Sequence, residues 1–405
     1  MPRSQAATAA PADALVPRGR LPLLGGLSAR RFLSEYWQKK PLLVRQAIPG
    51  FAGLIDAAGL RRLAASDDVQ SRLIRREGRN WSLQHGPIAA RTWKDLDPAQ
   101  PWTVLVQELN FHLPAADRLL EAFRFIPHAR IDDLMVSHAS PRGGVGPHFD
   151  SYDVFLLQGP GRRRWRISAQ EDISLRAGMP LKILKHFHPE QEWVLEPGDM
   201  LYLPPRYAHD GVALDECFTY SIGFRAPSPQ EWVAEFLLDS AERLRLDGRY
   251  ADPDLQLQRH PGALPRALQT FFQQQLDSVR FEAAAVRDFN GRYLTEPKPH
   301  VFFPAPTEDL SSSGFRRAAL ARGVRLDPRS RMLFAGDDCW CNGEHFPMAA
   351  DEHAVLVALA DRRRLDAGCL RAGQAASPDQ WRSTLWPMLL AWFDDGWLRL
   401  GCDWT

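Results

Sequence analysis

The sequence predicts a mixed β/α protein: a β-barrel or jelly roll, then a helical segment, then a small winged-helix-like domain. Short strand-like runs bounded by Gly and Pro turns occupy 134–224, and helical periodicity dominates 228–298. After residue 299, strand-like and helical runs are followed by a closing strand. The 405 residues suffice for two or three domains.

These patterns predict four segments. Residues 1–20 are rich in Ala and Pro and lack the apolar block of a signal peptide, so we expect a disordered lead-in. A barrel with N-terminal helices is predicted at 21–227, the helical segment at 228–298 and the winged-helix-like domain at 299–405. The first helix is expected from Ser28 and ends before Pro41.

The barrel strands are predicted from apolar runs and turn residues. A run at 152–158, a Gly-Pro-Gly turn and a run at 162–167 predict a hairpin. A Pro-Gly-Asp turn leads into a short strand at 200–203, and 219–224 is a further strand. Several short strands of this kind are typical of a barrel or jelly roll.

A histidine and a carboxylate stand two positions apart inside this region, and a second histidine follows later. Residues i and i+2 of a strand point to the same face, so His148 and Asp150 are predicted to share a metal with His209. Two imidazoles and one carboxylate are the ligand set of non-haem iron(II) oxygenases, although ligand type alone does not separate iron from manganese or zinc. The rival pair His186 and His188 has no carboxylate partner, which indicates a structural role.

Around these ligands the chain resembles the bacterial ribosomal oxygenases, which are JmjC-type, 2-oxoglutarate-dependent protein hydroxylases of the cupin superfamily. The resemblance rests on G-V-G-P-H-F-D-S-Y-D-V-F-L-L-Q-G-P-G-R-R-R-W-R, on E-P-G-D-M-L-Y-L-P-P-R-Y-A-H-D-G and on Y-S-I-G-F-R-A-P, and it runs from about Leu27 to the C-terminus. It implies a double-stranded β-helix, Fe(II), and 2-oxoglutarate and O2 as co-substrates. It also implies hydroxylation of an arginine β-carbon in a large-subunit ribosomal protein, and a homodimer formed through the helical segment.

The far carboxylate of 2-oxoglutarate requires a cation. Similar JmjC enzymes place a Lys or Arg thirteen residues after the ligand carboxylate, and Arg163 occupies that position here. Strand alternation directs Arg162 and Arg164 to the opposite face; the alternative is that all three form a solvated basic edge. Ser137 is predicted to add a hydroxyl to the same carboxylate, with Ser221 as a weaker candidate. Either serine is equally compatible with an inert position in the barrel.

No catalytic residue is predicted beyond the metal ligands, because the metal carries the chemistry and the protein orients the reactants. Arg142, Asp153 and Asp210 lie near the ligands in sequence and are candidate substrate contacts. The two acids suit a cationic side chain, and structural roles are the alternative.

The helical segment begins with a capping box, in which Ser228 precedes Pro229 and Glu231. Further helices are predicted at 264–276 and 281–290, with Gly291 expected to end the latter. Exposed aromatic residues on these helices predict dimerisation; packing on the chain's own barrel is the alternative.

The C-terminal part is predicted to contain a hairpin at 331–344, helices at 351–363 and 378–394, and a strand at 397–400. Pro387 should interrupt the second helix. From His300 onward there are 12 Arg and no Lys against 14 acidic residues. DNA binding would require a basic surplus, so this part is interpreted as a protein-contact module.

Composition excludes several classes of protein. Fifty basic and 49 acidic residues nearly cancel, so a basic ribosomal partner would need a local acidic groove. Five scattered cysteines without a C-x-x-C pair indicate a reducing, cytoplasmic compartment, and no apolar run is long enough for a membrane span. Two alternatives remain open: a metal-binding cupin of another activity, and a non-enzymatic sensory regulator with a DNA-binding wing.

Overall fold

The computed structural model describes residues 19–402 except 79 and 97–99, so the predicted lead-in at 1–20 lies almost entirely outside the described residues. A β-rich part comes first, helices follow, and a mixed part ends the chain, which confirms the predicted order.

Short strands and helices precede the barrel strands. They are β1 (Arg20–Leu21), β2 (Leu27–Ser28), α1 (Ala29–Glu35), β3 (Leu42–Val44), α2 (Ala57–Ala64), β4 (Ser71–Glu77), β5 (Asn80–His85), α3 (Ala90–Lys94), β6 (Trp102–Val106), α4 (Leu109–His112) and α5 (Pro114–Glu121). Helix α1 begins where predicted, because the Ser28 hydroxyl accepts a hydrogen bond from the amide of Arg31.

The barrel strands follow without an intervening long helix. They are β7 (Ile131–Ala139), β8 (Val154–Gln158), β9 (Arg163–Ser168), β10 (Gln191–Leu195), β11 (Met200–Leu203), β12 (Ala208–Ala213) and β13 (Cys217–Phe224). The larger sheet has the strand order β3-β11-β8-β13-β7-β6-β4-β5, and the smaller sheet has the order β10-β9-β12. All of these neighbours pair in antiparallel fashion, as in a jelly roll.

The predicted hairpin of β8 and β9 is wrong, because these strands belong to different sheets. Strand β8 pairs with β11 and β13, whereas β9 pairs with β10 and β12. The Gly-Pro-Gly connection carries the chain from one sheet to the other. Gly161 has a φ of 76°, and a Cβ there would meet the carbonyl of Glu216, so this crossing needs glycine.

The larger sheet buries both of its faces. On one face, Phe155 and Tyr220 join the apolar residues of the N-terminal helices in the principal core. On the other face, Leu156 of β8 packs with Trp165 and Ile167 of β9, which lie in the smaller sheet. This second layer is the barrel interior, and residues at alternate positions of β7, β8, β9 and β13 point into it.

The helical segment consists of α6 (Pro229–Arg243), α7 (Arg266–Ser278) and α8 (Ala283–Thr295). The Ser228 half of the predicted capping box is confirmed, since its hydroxyl accepts from the Glu231 amide at 3.1 Å, whereas the Glu231 carboxylate accepts from Tyr293 at 3.2 Å. The predicted end of the last helix at Gly291 is wrong. A Cβ at Gly291 would lie 2.0 Å from the Trp340 ring, so this glycine admits a packed indole inside a continuing helix.

The C-terminal part combines helices with two three-stranded sheets. Its elements are α9 (Ser312–Arg322), β14 (Val324–Leu326), β15 (Met332–Ala335), β16 (Asp338–Cys341), β17 (Glu344–Pro347), α10 (Ala350–Arg362), β18 (Arg364–Leu365), α11 (Ala367–Ala376), α12 (Pro378–Gln380), α13 (Trp386–Asp394) and β19 (Leu398–Leu400). A π-helical turn, Trp381–Leu385, separates α12 from α13 near Pro387, which confirms the predicted interruption. The sequence analysis missed α9 and α11.

Charged side chains connect the end of the helical segment and the C-terminal part to the β-rich part. The guanidinium of Arg331 donates to the carbonyls of Ile131 and Asp132 at 2.9 Å each, at the start of β7. Lys298 and His300 both contact the buried carboxylate of Glu108, at 3.0 and 2.7 Å. No helix in the described part of the chain combines the length and the apolar character that a bilayer crossing requires.

Candidate metal centre

The three predicted ligands converge at the mouth of the barrel. His209 is the second residue of β12, and His148 pairs with it in an isolated antiparallel bridge. Each backbone amide of this pair donates to the other's carbonyl, at 2.9 and 2.8 Å. The expectation that His148 and Asp150 share one regular strand is wrong. Asp150 lies in the loop before β8, where its carbonyl accepts from the Arg206 amide at 2.7 Å.

The donor atoms of these three residues are close enough for one ion. One ligand atom from each of His148, Asp150 and His209 lies within 4.8 Å of the other two. The imidazole centroids of the two histidines are 4.2 Å apart, and the His209 Nε2 atom is 3.6 Å from a carboxylate oxygen of Asp150. Among the described residues, this is the group whose spacing suits a metal.

Backbone carbonyls orient both imidazoles. The Nδ1 atom of His148 lies 2.9 Å from the carbonyl of Gly146, and the Nδ1 atom of His209 lies 2.9 Å from the carbonyl of Tyr207. Because a carbonyl only accepts, each Nδ1 carries the proton and each Nε2 lone pair is left for a metal. Burial, and to a smaller extent the neighbouring His148, lower the pKa of His209 to about 4. His209 is therefore neutral at physiological pH, as a ligand must be.

Arg163 is a buried cation inside the barrel. It is 3% exposed, and its Nε and Nη2 atoms have no hydrogen-bond partner in the described part of the chain. Arg163 of β9 pairs with Ala213 of β12, and four residues along the same two strands Ile167 pairs with His209. Residues an even number of positions apart lie on the same face, so Arg163 and His209 both point into the barrel interior. Its guanidinium lies 5.7 Å from the ring of Trp165, which in turn lies 5.8 Å from His209. A buried, unsatisfied guanidinium fits an anionic co-substrate, because such a group is costly unless it is paired.

Both candidate serines are buried in the barrel interior. Ser137 on β7 pairs with Thr219, and Ala139, two residues further on the same face, packs against Ala213 beside Arg163. Ser221 on β13 pairs with Leu156. Of the two serines, Ser137 therefore lies nearer the end of the ladder that carries Arg163.

The sequence analysis missed Thr219, which is 2% exposed and lies between Ser137 and Gln158 on the same interior face. The alternation of Cys217, Thr219 and Ser221 along β13 is the sequence signal that could have identified it. Trp165 was also missed, although it alternates with Arg163 on β9 and therefore points into the barrel interior.

The structure contradicts two of the three predicted substrate contacts. Asp153 is fully buried, and its carboxylate accepts from Tyr202 at 2.7 Å and from Gln38 at 2.9 Å, so it holds the N-terminal region to the barrel. Asp210 alternates with His209 and faces away from the metal site, where it accepts from Arg166 at 2.6 Å. Arg142 lies in an exposed turn whose amide donates to Ala213, and its role in substrate binding stays a prediction.

The site and fold define a class: a barrel of the JmjC type with a two-histidine, one-carboxylate centre. Residues 118–232 match the model of the JmjC domain, and 263–399 match a ROXA-like winged helix. A further match, to an AraC-like ligand binding domain, covers 185–287 and leaves out His148 and Asp150.

Curated relatives extend this match over most of the chain. A protein of Escherichia coli (strain K12) named ribosomal protein uL16 3-hydroxylase is 36% identical over 342 residues, covering 81% of this chain and 89% of the relative. A probable ribosomal oxygenase of Haemophilus influenzae is 30% identical and covers 90% of this chain and 94% of that protein. The chain belongs to the ribosomal oxygenase family.

Solved structures agree in fold along nearly the whole length. The X-ray structure of Escherichia coli YcfD superposes with a TM-score of 0.79 at 30% identity, covering 92% of this chain and 98% of that one. A YcfD structure in complex with cobalt and 2-oxoglutarate gives a TM-score of 0.76 at 31% identity, with the same coverage.

Proposed function

We propose that this protein is an Fe(II)- and 2-oxoglutarate-dependent hydroxylase of a ribosomal protein. The convergence of His148, Asp150 and His209 on one point, with both Nε2 atoms left available, is the observation that carries the proposal. The relative named uL16 3-hydroxylase and the YcfD complex with cobalt and 2-oxoglutarate support it. On this basis the substrate is uL16 of the large subunit, hydroxylated at the β-carbon of an arginine.

Each site residue has a distinct part in the proposed reaction. The three ligands hold the metal on one side, and the carbonyls of Gly146 and Tyr207 fix the rings. Arg163 pairs with the far carboxylate of 2-oxoglutarate, and Ser137 and Thr219 offer hydroxyls beside it. Ser221 remains a weaker candidate for the same contact. When bound, the metal with 2-oxoglutarate and oxygen would supply the oxidising power for a C–H bond, and the burial of His209 and Arg163, each 3% exposed, limits access of competing water.

Mass spectrometry tests the substrate and the reaction together. The protein is incubated with a uL16 peptide series, Fe(II), 2-oxoglutarate and oxygen, and each product is fragmented. We expect a gain of one oxygen atom on an arginine residue, together with formation of succinate. No gain on any uL16 peptide, or a gain confined to another residue type, would contradict the proposed substrate.

Ligand variants test the metal centre against a matched control. Asp150→Ala is expected to abolish succinate formation and to weaken binding of Mn(II), which replaces iron in an oxygen-insensitive titration. His186→Ala removes an exposed histidine from the same part of the fold and should change neither measurement. Retained Mn(II) affinity in Asp150→Ala would show that the three residues do not form the site.

A cupin of another activity would use the same ligands but not Arg163. Arg163→Ala separates the two functions, because loss of the guanidinium removes the partner of the 2-oxoglutarate carboxylate. Turnover that is unchanged in this variant favours the other activity.

We also propose that the protein forms a homodimer through α6–α8, since apolar side chains project from helices that bury little. The side chains of Val233, Leu238, Phe272 and Leu276 are each more than half exposed. Large apolar side chains exposed in such number on neighbouring segments favour an association surface. The same proposal includes the division of the chain into 21–227, 228–298 and 299–405. It also includes a cytoplasmic location, in contact with the translation machinery. The excess of acidic residues after His300 supports a protein-contact role for the C-terminal part rather than DNA binding.

A further inference from the structure

A cleft lined by basic side chains lies on the outer face of the smaller sheet, behind the metal centre. Arg76, Arg166, Arg176 and Lys185 line it together with the acid Asp210. The chain as a whole is nearly neutral, so a concentration of four cations against one acid is a local feature.

The single acid does not neutralise this cleft. Asp210 pairs with Arg166 at 2.6 Å, and this contact occupies one carboxylate oxygen. The Nε atom of Arg166 is buried without a hydrogen-bond partner in the described part of the chain. The Arg166 side chain is nonetheless 33% exposed, so guanidinium hydrogens that Asp210 does not occupy are available to an anionic oxygen in the cleft.

Aromatic rings stand among these cations. The guanidinium of Arg76 lies 5.4 Å from the centre of the Trp81 ring, and that of Arg166 lies 5.7 Å from the Phe187 ring. Guanidinium planes and aromatic rings are the surfaces on which proteins stack unpaired nucleobases, and the cations between them bind the phosphates.

The cleft is separate from the barrel interior but joined to the metal ligands through the backbone. Asp210 follows His209 on β12 and faces the opposite side of the sheet. Gly146 and Pro147 line the cleft immediately before His148, and the Leu184 amide donates to the carbonyl of Pro147 at 2.8 Å. A ligand here would therefore lie beside the active site without entering it.

We propose that this cleft binds single-stranded RNA, so that the enzyme binds its ribosomal protein substrate together with an adjoining stretch of RNA. This rests on the proposed function, because ribosomal RNA is the polyanion that accompanies a ribosomal protein. A carboxylate of a peptide needs one bidentate arginine, whereas a nucleic-acid strand offers an anion to each of the four cations that line the cleft.

Fluorescence anisotropy of a short labelled single-stranded RNA with the full-length protein tests the proposal. Four phosphate contacts predict a slope of log K against log salt of about −3. Arg76→Gln and Lys185→Gln should each make this slope shallower by about 0.7, and together weaken binding at low salt by at least about tenfold. Lys182→Gln removes an exposed lysine of the same loop that does not line the cleft, and should change neither quantity.

Two competitors identify the ligand. Unlabelled RNA should displace the probe, whereas a poly-glutamate peptide at equal charge should not. Displacement by poly-glutamate as effective as by RNA, or binding that Lys182→Gln weakens as much as Lys185→Gln, overturns the proposal.

Hydroxylation of free peptide separates this proposal from the function of the metal site. Turnover of a uL16 peptide in Arg76→Gln and Lys185→Gln should equal that of the unmodified protein, and loss of turnover would assign the cleft to the peptide instead. Absence of turnover in the unmodified protein would contradict the proposed hydroxylase while leaving the RNA measurement to decide on the cleft.

Discussion

The barrel and the helical segment contain similar apolar residues but bury them to opposite extents. Every residue of β13 is buried, whereas neither α6 nor α7 has a buried residue. The barrel strands are covered by a second sheet on one side and by the N-terminal helices on the other. The barrel is therefore stabilised by contacts within the chain, and the helices offer apolar surface that a second copy would cover.

The largest expected effect comes from the principal core of the barrel. Phe155 is fully buried, with ring centroids 4.9 Å from those of Phe123 and Tyr202. Phe155→Ala should lower the free energy of unfolding by about 3–5 kcal/mol, because it removes apolar contacts and leaves a cavity. Denaturant unfolding measures this change. A loss below about 1 kcal/mol would mean that the core relaxes around the site, contrary to its tight packing.

A buried carboxylate between α5 and the C-terminal part should give the next largest effect. Burial raises the pKa of Asp117 to about 6, so between about pH 4 and pH 6 the native state binds more protons than the unfolded state. The free energy of unfolding therefore falls as pH rises through this window. Above it, the native state bears the full destabilisation that comes from burying the ionised Asp117 carboxylate. Asp117→Asn should therefore stabilise the protein by up to about 3 kcal/mol at pH 7.5.

The pH dependence is the control for Asp117→Asn. Below about pH 3 the carboxyl is protonated in both states, because this lies under the unfolded pKa of about 3.9, and the difference between variant and unmodified protein should vanish. Unfolding by urea at both pH values measures the change. An equal difference at the two values would show that the effect is not ionisation of Asp117.

The polar interior of the barrel provides the third test. Arg163→Met replaces a buried, unsatisfied guanidinium by an apolar chain of similar length, and such replacements are often neutral or stabilising. We expect an unchanged or higher melting temperature without co-substrate, but a KM for 2-oxoglutarate raised about 30- to 100-fold, equivalent to about 2–3 kcal/mol. Arg163→Lys should recover part of this loss. A lower melting temperature with unchanged KM would assign Arg163 to structure alone.

The smallest effect on unfolding is expected on the helical segment. Leu238 and Phe272 are 64% and 63% exposed, so Leu238→Ser with Phe272→Ser should alter the free energy of unfolding of a monomer by less than about 0.5 kcal/mol. Sedimentation should nevertheless show a shift from dimer to monomer. A dimer that withstands both changes would contradict this surface as the contact, and a large loss of monomer stability would contradict the contrast with the barrel.

The metal ligands and their surroundings show which site residues could be predicted from the sequence and which could not. The spacing of His148, Asp150 and His209 identified the three residues that meet. Arg163 came from the resemblance to JmjC enzymes, and strand alternation separated it from Arg162 and Arg164. The alternation did not reveal that Asp153 is sequestered by Tyr202, or that Asp210 pairs with Arg166 on the outer face. Those contacts join residues 44–49 positions apart, and sequence adjacency to a ligand carries no information about them.

The role of Gly291 could not be predicted from the sequence either. Gly291 near the predicted end of a helix is typical of a C-terminal cap, yet it lies inside α8 against Trp340. A helix cap requires glycine because of the backbone conformation at that position. Gly291 is required instead because the indole ring of Trp340, 49 residues away in sequence, packs against it. The hairpin of β8 and β9 failed for a related reason, because turn chemistry predicts where a strand ends and not which strand becomes its neighbour.

The sequence by itself determined the kinds of element, the order of the three parts and the chemistry of the three ligands, because periodicity, turn residues and ligand type are local properties. Only the tertiary structure decided which sheet each strand enters, which acids remain available and where cations collect on the outer face. These depend on burial and on pairing between distant residues, and the free energies of both are set by neighbours that the folded chain brings together.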